Sequence, residues 1–225
     1  MRRLASLLAS LAVAASASPA LAGDVTGVVR YNGPVPAVAP LKVNKDMNIC
    51  GQTVKDQSLE VSNGYLHNVV ITVKGPGAQK PAPLAVRAVL DQHLCHYVPH
   101  VQAAPVGSTL EIVNSDPMLH NIHGYQGPAT AFNLAMPLKG QRIPRVLSKP
   151  GVVTVKCDVH NFMHGYVLVV DSPYAVVGED GKYAVKGLPA GTYTVTAWHE
   201  KLGEKTAQVT VPATGDVTAD FAYGK

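Results

Sequence analysis

After its first twenty-two residues the chain is a series of short β-branched runs, each cut off by glycine, proline or an Asn/Asp turn. Thr26-Gly-Val-Val-Arg-Tyr31 stops at Asn32-Gly33-Pro34, Leu66 to Lys74 stops at Gly75-Pro76-Gly77, and Thr109 to Val113 stops at Asn114-Ser-Asp-Pro117. From Val152 to Cys157 the side chains alternate, with Val153, Val155 and Cys157 on one face and Thr154 and Lys156 on the other. A repeat of two residues places one face of a sheet in a core and the other outside it. No long segment after the first twenty-two residues has helical spacing. Strands of this length and spacing, with this turn chemistry, predict an all-β sandwich or barrel. The stretch from Gly127 to Pro150 shows the pattern least and is expected to be a loop with one short strand.

The first twenty-two residues are different. Arg2 and Arg3 precede an apolar run from Leu4 to Ala14, followed by small residues ending in Ala20-Leu21-Ala22. This is the pattern of a secretory signal peptide cut before Gly23. It predicts export to the periplasm, and no other stretch is apolar enough for a membrane helix. Of 19 Lys and Arg, two lie in this leader, leaving 17 against 15 Asp and Glu. Near balance of charge, with no basic cluster or aromatic ladder, argues against a nucleic-acid partner.

Composition shifts at Asp171-Ser-Pro173. Beyond it, Asp180-Gly181 and Pro189-Ala-Gly191 are strong turn signals between apolar runs. The reading is a domain at 23–170 and a small β-domain at 171–225. The tail is short for a core of its own, so residues 23–44 are expected to be shared with it, lending a strand.

Three cysteines in an exported chain leave one unpaired. Cys50 and Cys95 are the natural disulfide, closing a loop worth about 4 kcal/mol in chain entropy. The rival is a metal site built from Cys95, His96 and His100. Cys157 is then the free thiol, and it opens the run Cys157-Asp-Val-His160-Asn-Phe-Met163-His164 between two strands. A thiolate, imidazoles and a weak thioether suit a mononuclear copper site. His120, just past another strand, is the candidate second imidazole. His123, His164 and Met118 lie close enough in sequence to act as extra ligands or to orient the first set. Zinc is the competing metal, since Cys and His serve it well, but a thioether favours copper. On the blander reading, Cys157 is a buried small hydrophobe. His160 is read as near the loop surface and the electron's exit, with Phe162, Tyr125 and Tyr166 as an apolar docking patch. Tyr166 as a strand residue and Phe162 as a packed loop anchor are the alternatives.

Gly107-Ser-Thr-Leu-Glu-Ile-Val-Asn114 leading to His120-Asn121, then a strand into Cys157-x-x-His160-x-x-Met163, resembles a cupredoxin over roughly 101–170. The resemblance implies a Greek-key sandwich holding one copper ion, with His120, Cys157 and His160 as equatorial ligands and Met163 as the axial one. The spacing from His160 to Met163 is shorter than in plastocyanin-like proteins. The tail DGKYAVKGLPAGTYTVTAWH is similar to the carboxypeptidase regulatory-like, or transthyretin-like, β-domain. Their order resembles bacterial periplasmic methylamine-utilisation-type proteins. The expected function is periplasmic electron transfer with a redox partner protein. A copper carrier or store, and a structural β-protein with a zinc or empty site, are the alternatives. No H-x-H pair, C-x-x-C-H, G-x-S-x-G or H-E-x-x-H occurs, so no enzyme is expected.

Overall fold

A computed structural model describes residues 22–225. The predicted leader lies outside the described residues but for Ala22, which begins the first strand, Ala22–Asn32. The described chain is almost entirely β, as the strand pattern predicts, with a single four-residue helix, Met47–Cys50. Among the described residues no helix is long and apolar enough to cross a membrane.

Two sheets form the half of the molecule that carries Cys157. One runs in the order Ala129–Met136, His120–Gln126, Gly151–Lys156, His164–Val170 and Val101–Pro105. The other runs Arg142–Val146, Thr109–Asn114, Ala88–His93 and His96–Val98. Leu90, Leu110 and Ile112 from the second sheet meet Ile122, Val153, Val155, Val167 and Val169 from the first in one buried core. Alternation dictates this: Val153, Val155 and Cys157 are buried while Lys156 is exposed. Each such side chain contributes roughly 1.5–3 kcal/mol on burial. The stretch 127–150 corrects the expectation of a loop with one strand. It forms two strands, Ala129–Met136 and Arg142–Val146, each at the edge of a sheet. Edge strands are exposed on one side and tolerate Pro144, so their apolar pattern is weak.

The other half is built around a second core. Ala22–Asn32 pairs antiparallel with Lys182–Pro189 and parallel with Val217–Thr218 and Phe221–Gly224. Val25 and Val29 from this strand enter the core of Val185, Tyr193, Val195, Phe221 and Tyr223. The strand Val70–Lys74, within the range read as the first domain, lies between Gly191–His199 and Tyr174–Val176. Its sequence is β-branched on both faces because both faces are covered. Ile71 and Val73 enter the tail core, and Val70 joins Val101, Leu168 and Val170 in a third cluster flanked by Tyr166 and Trp198. That third cluster is the seam between the two halves.

Candidate metal centre

The strand His120–Gln126 starts where the Thr109–Asn114 strand has turned back, and the loop after Gly151–Lys156 comes to the same end of the sandwich. His120, Cys157 and His160 converge there and are all buried. Nδ1 of His120 lies 3.2 Å from Nδ1 of His160. Cys157 Sγ lies 3.7 Å from His160 Nδ1. The three donor atoms are within 4.8 Å of one another.

Two carboxylates decide which nitrogens face the sulfur. His120 Nε2 lies 2.9 Å from Asp116 Oδ2, and His160 Nε2 lies 2.8 Å from Asp46 Oδ2. An ionised carboxylate only accepts, so each ring carries a proton on Nε2. Each Nδ1 is thereby turned toward Cys157. This carboxylate–imidazole pairing is the arrangement that fixes a metal-binding tautomer.

Each carboxylate is itself held by local backbone geometry. Leu94 and Cys95 form the two-residue turn between Ala88–His93 and His96–Val98, and both have positive φ, 49° and 62°. Such a turn usually takes Asn-Gly. Here its N–H groups donate to Asp116, from Leu94 at 2.8 Å and from Cys95 at 2.9 Å. Asp46 stands before the Met47–Cys50 helix with φ of 55°, yet its side chain makes no cap bond to that helix. It accepts from His160 instead. The predicted disulfide joins Cys50 to Cys95. It ties the end of the helix that follows Asp46 to the turn that holds Asp116, linking the supports of both imidazoles.

The sulfur accepts from the N–H groups of Asn121 and His160, each at 3.4 Å. Burial alone would raise the Cys157 thiol, but His120 and these N–H groups bring it below its ordinary value. Burial likewise opposes charge on His120, yet Asp116 and Cys157 push it up to about 9. His160 moves down, through burial and with Asp46 opposing. The centre thus stabilises a proton on His120 and negative charge on the Cys157 sulfur. Cys157 is free and buried.

Met163 is buried in the same core. Its N–H donates to the His160 carbonyl at 2.9 Å, and its carbonyl accepts from Cys157 N–H at 3.3 Å, which closes the loop on itself. Met118 is half-buried against that core. His123 sits three residues past His120, so the two-residue repeat turns it away from the core. It stacks on Tyr125 with ring centroids 4.0 Å apart, and its Nδ1 lies 3.1 Å from Asp158 Oδ2. His164, the first residue of the next strand, lies instead with His100 and Glu200.

The expected surface exit and docking patch are not where the sequence put them. His160 is fully buried under Asp46, and Phe162 is buried as a loop anchor. Tyr166 faces Trp198 across the seam at 5.5 Å. The exposed apolar side chains next to the centre's residues are Met47, Leu94 and Leu119. Sequence reasoning missed Asp46 and Asp116. Asp116 sits four residues before His120, a spacing that could have flagged it. Asp46 lies 114 residues from His160 and carries no local signal.

No protein-family model and no curated protein matches the chain. Among solved structures it is similar to a copper-containing nitrite reductase from Thermus scotoductus SA-01, at 26% identity and a TM-score of 0.35, over 40% of this chain and 26% of that one. The chain therefore spans about a quarter of that enzyme's length. A purple cupredoxin from Nitrosopumilus maritimus matches at 24% identity and a TM-score of 0.31, over 37% of this chain and 99% of that one. Amicyanin from Paracoccus versutus matches at 24% identity and 0.35, over 44% and 97%. Scores of this size assign the chain to no family.

Proposed function

We propose that this is an exported mononuclear copper protein that carries single electrons. The observation that supports it best is the pair of imidazoles whose Nε2 protons are pinned to Asp116 and Asp46, so that both Nδ1 atoms turn to Cys157. One thiolate and two imidazoles, with Met163 buried beside them, suit copper in a site of fixed shape. When bound, copper supplies a one-electron couple between Cu(I) and Cu(II).

The chain's own residues do the rest. Two strands and the Cys157–Met163 loop set the donor positions, and the core around them limits rearrangement between oxidation states. The N–H groups of Asn121 and His160 stabilise negative charge on the sulfur. Asp46, with its side chain 34% exposed, lies between the His160 ring and solvent. A redox partner would dock over this edge, where Met47, Leu94 and Leu119 are exposed. Complete burial of His120 and His160 behind their carboxylates supports a carrier of electrons rather than a catalyst open to substrate.

The test is an absorption spectrum with metal content, on wild type and Cys157→Ser. An intense thiolate-to-Cu(II) band lost in the variant is the expected result. A colourless protein isolated with zinc would reject copper. The burial of His160 also fits a second reading, a copper store without turnover. A Cu(I) form that no periplasmic reductant or oxidant exchanges within seconds would favour the store.

A further inference from the structure

We propose a second metal site, for a divalent zinc-class cation, formed by His100, His164 and Glu200 across the seam between the two halves. The three come from separate segments. His100 precedes the Val101–Pro105 strand, His164 begins His164–Val170, and Glu200 follows Gly191–His199 in the other half. One donor atom from each lies within 4.8 Å of the other two.

Both imidazoles of the cluster face one carboxylate. His164 Nδ1 lies 3.4 Å from the Phe162 carbonyl, which only accepts, so Nδ1 carries a proton. Its Nε2 faces Glu200 Oε2, 3.6 Å away. That is too long for a hydrogen bond. Two ligands on one tetrahedral zinc, with bonds of about 2.0–2.1 Å, stand about 3.4 Å apart. His100 Nε2 contacts the other oxygen, Oε1, of the same carboxylate. His164 Nε2 and the Glu200 carboxylate are thus spaced as two ligands of one cation would be.

Three further observations fit. His100 is buried, and its Nδ1 has no hydrogen-bond partner, so the cluster's own bonds do not satisfy that ring. Glu200 is buried, with its side chain 4% exposed. A crevice of about 10 Å³, near the size of one water, opens beside His100, His164 and Met163. His164 is 26% exposed, which gives an ion a way in. Two imidazoles and one carboxylate, without sulfur, are a borderline donor set that suits zinc and its first-row neighbours. The cluster shares none of its three donors with the Cys157 centre, although Met163 lies between them in the crevice lining.

The experiment counts zinc on the full exported chain. Wild type preloaded with copper and then titrated with Zn²⁺ should bind one further ion per chain. Cys157→Ser without copper should also bind one Zn²⁺. X-ray absorption of that ion should show nitrogen and oxygen ligands only, at about 2.0–2.1 Å, and no sulfur near 2.3 Å. Glu200→Gln and His164→Ala should each weaken Zn²⁺ at least 100-fold, with Trp198 fluorescence showing that the seam is intact. No further zinc on copper-loaded wild type, a sulfur ligand, or unchanged affinity in a folded Glu200→Gln would overturn the site and leave a hydrogen-bonded clamp. Because copper content and colour are read separately, failure of the Cys157 centre would not be mistaken for failure here.

Discussion

Asp116→Asn tests whether the carboxylates organise the Cys157 centre. Asp116 is 2% exposed and accepts three bonds, from Leu94 N–H, Cys95 N–H and His120 Nε2–H. An amide has one acceptor oxygen and an NH₂ that only donates. In its better orientation the oxygen replaces Oδ2 and keeps Cys95 and His120, while the NH₂ faces the Leu94 N–H. One buried unmatched donor costs about 1–3 kcal/mol. The two surviving bonds lose their charge assistance, about 1 kcal/mol each. The sum, about 3–5 kcal/mol, agrees with what removing one partner of a buried pair usually costs. Urea unfolding, followed by far-UV ellipticity and by the fluorescence of the chain's one Trp, should show that loss without metal. Copper affinity should fall by about 10–100-fold, as when a ligand's supporting carboxylate is removed. A stability change under about 1 kcal/mol together with unchanged copper affinity would refute the account of how the rings are held.

Asp46→Asn should separate the two effects. Asparagine tolerates a φ of 55° and the side chain is partly solvated, so stability should fall by only about 1 kcal/mol, while copper affinity drops about tenfold or more by equilibrium competition with a chelator. The double variant Cys50→Ser/Cys95→Ser should lose up to about 4 kcal/mol in guanidinium unfolding and also bind copper more weakly, because the helix and turn it joins carry both carboxylate supports. Burial holds the Tyr223 hydroxyl, which donates to the Ala197 carbonyl at 2.8 Å, up to about 12. Its folded value exceeds its unfolded one, so its contribution is whole below pH 10 and is lost as pH rises to 12. In pH-dependent melting, Tyr223→Phe should lose on the order of 2 kcal/mol less than wild type over that interval, the remaining loss coming from Tyr166 and the other buried tyrosines.

Much of the molecule can be read along the chain. The two-residue repeat through Val153, Val155 and Cys157 identified an inward strand face, and the structure buries all three. The odd cysteine count singled out Cys157 and paired Cys50 with Cys95. The strand-end positions of His120 and of the Cys157 loop pointed to one convergence. These features are local: a pleat, a turn and a count need only a few neighbouring residues.

Tertiary structure decided what depends on contact between distant segments. The Val70–Lys74 strand has the same composition whichever half it joins, and only its neighbours, Gly191–His199 and Tyr174–Val176, assign it. Nothing near Asp46 announces that its side chain will leave its own helix for a ring 114 residues away. The surface exit through His160 failed because Asp46, from a distant segment, covers that ring. Likewise His164, read beside Cys157, lies instead with His100 and Glu200. Pattern says which side of a strand is buried, and the packing of distant segments says against what.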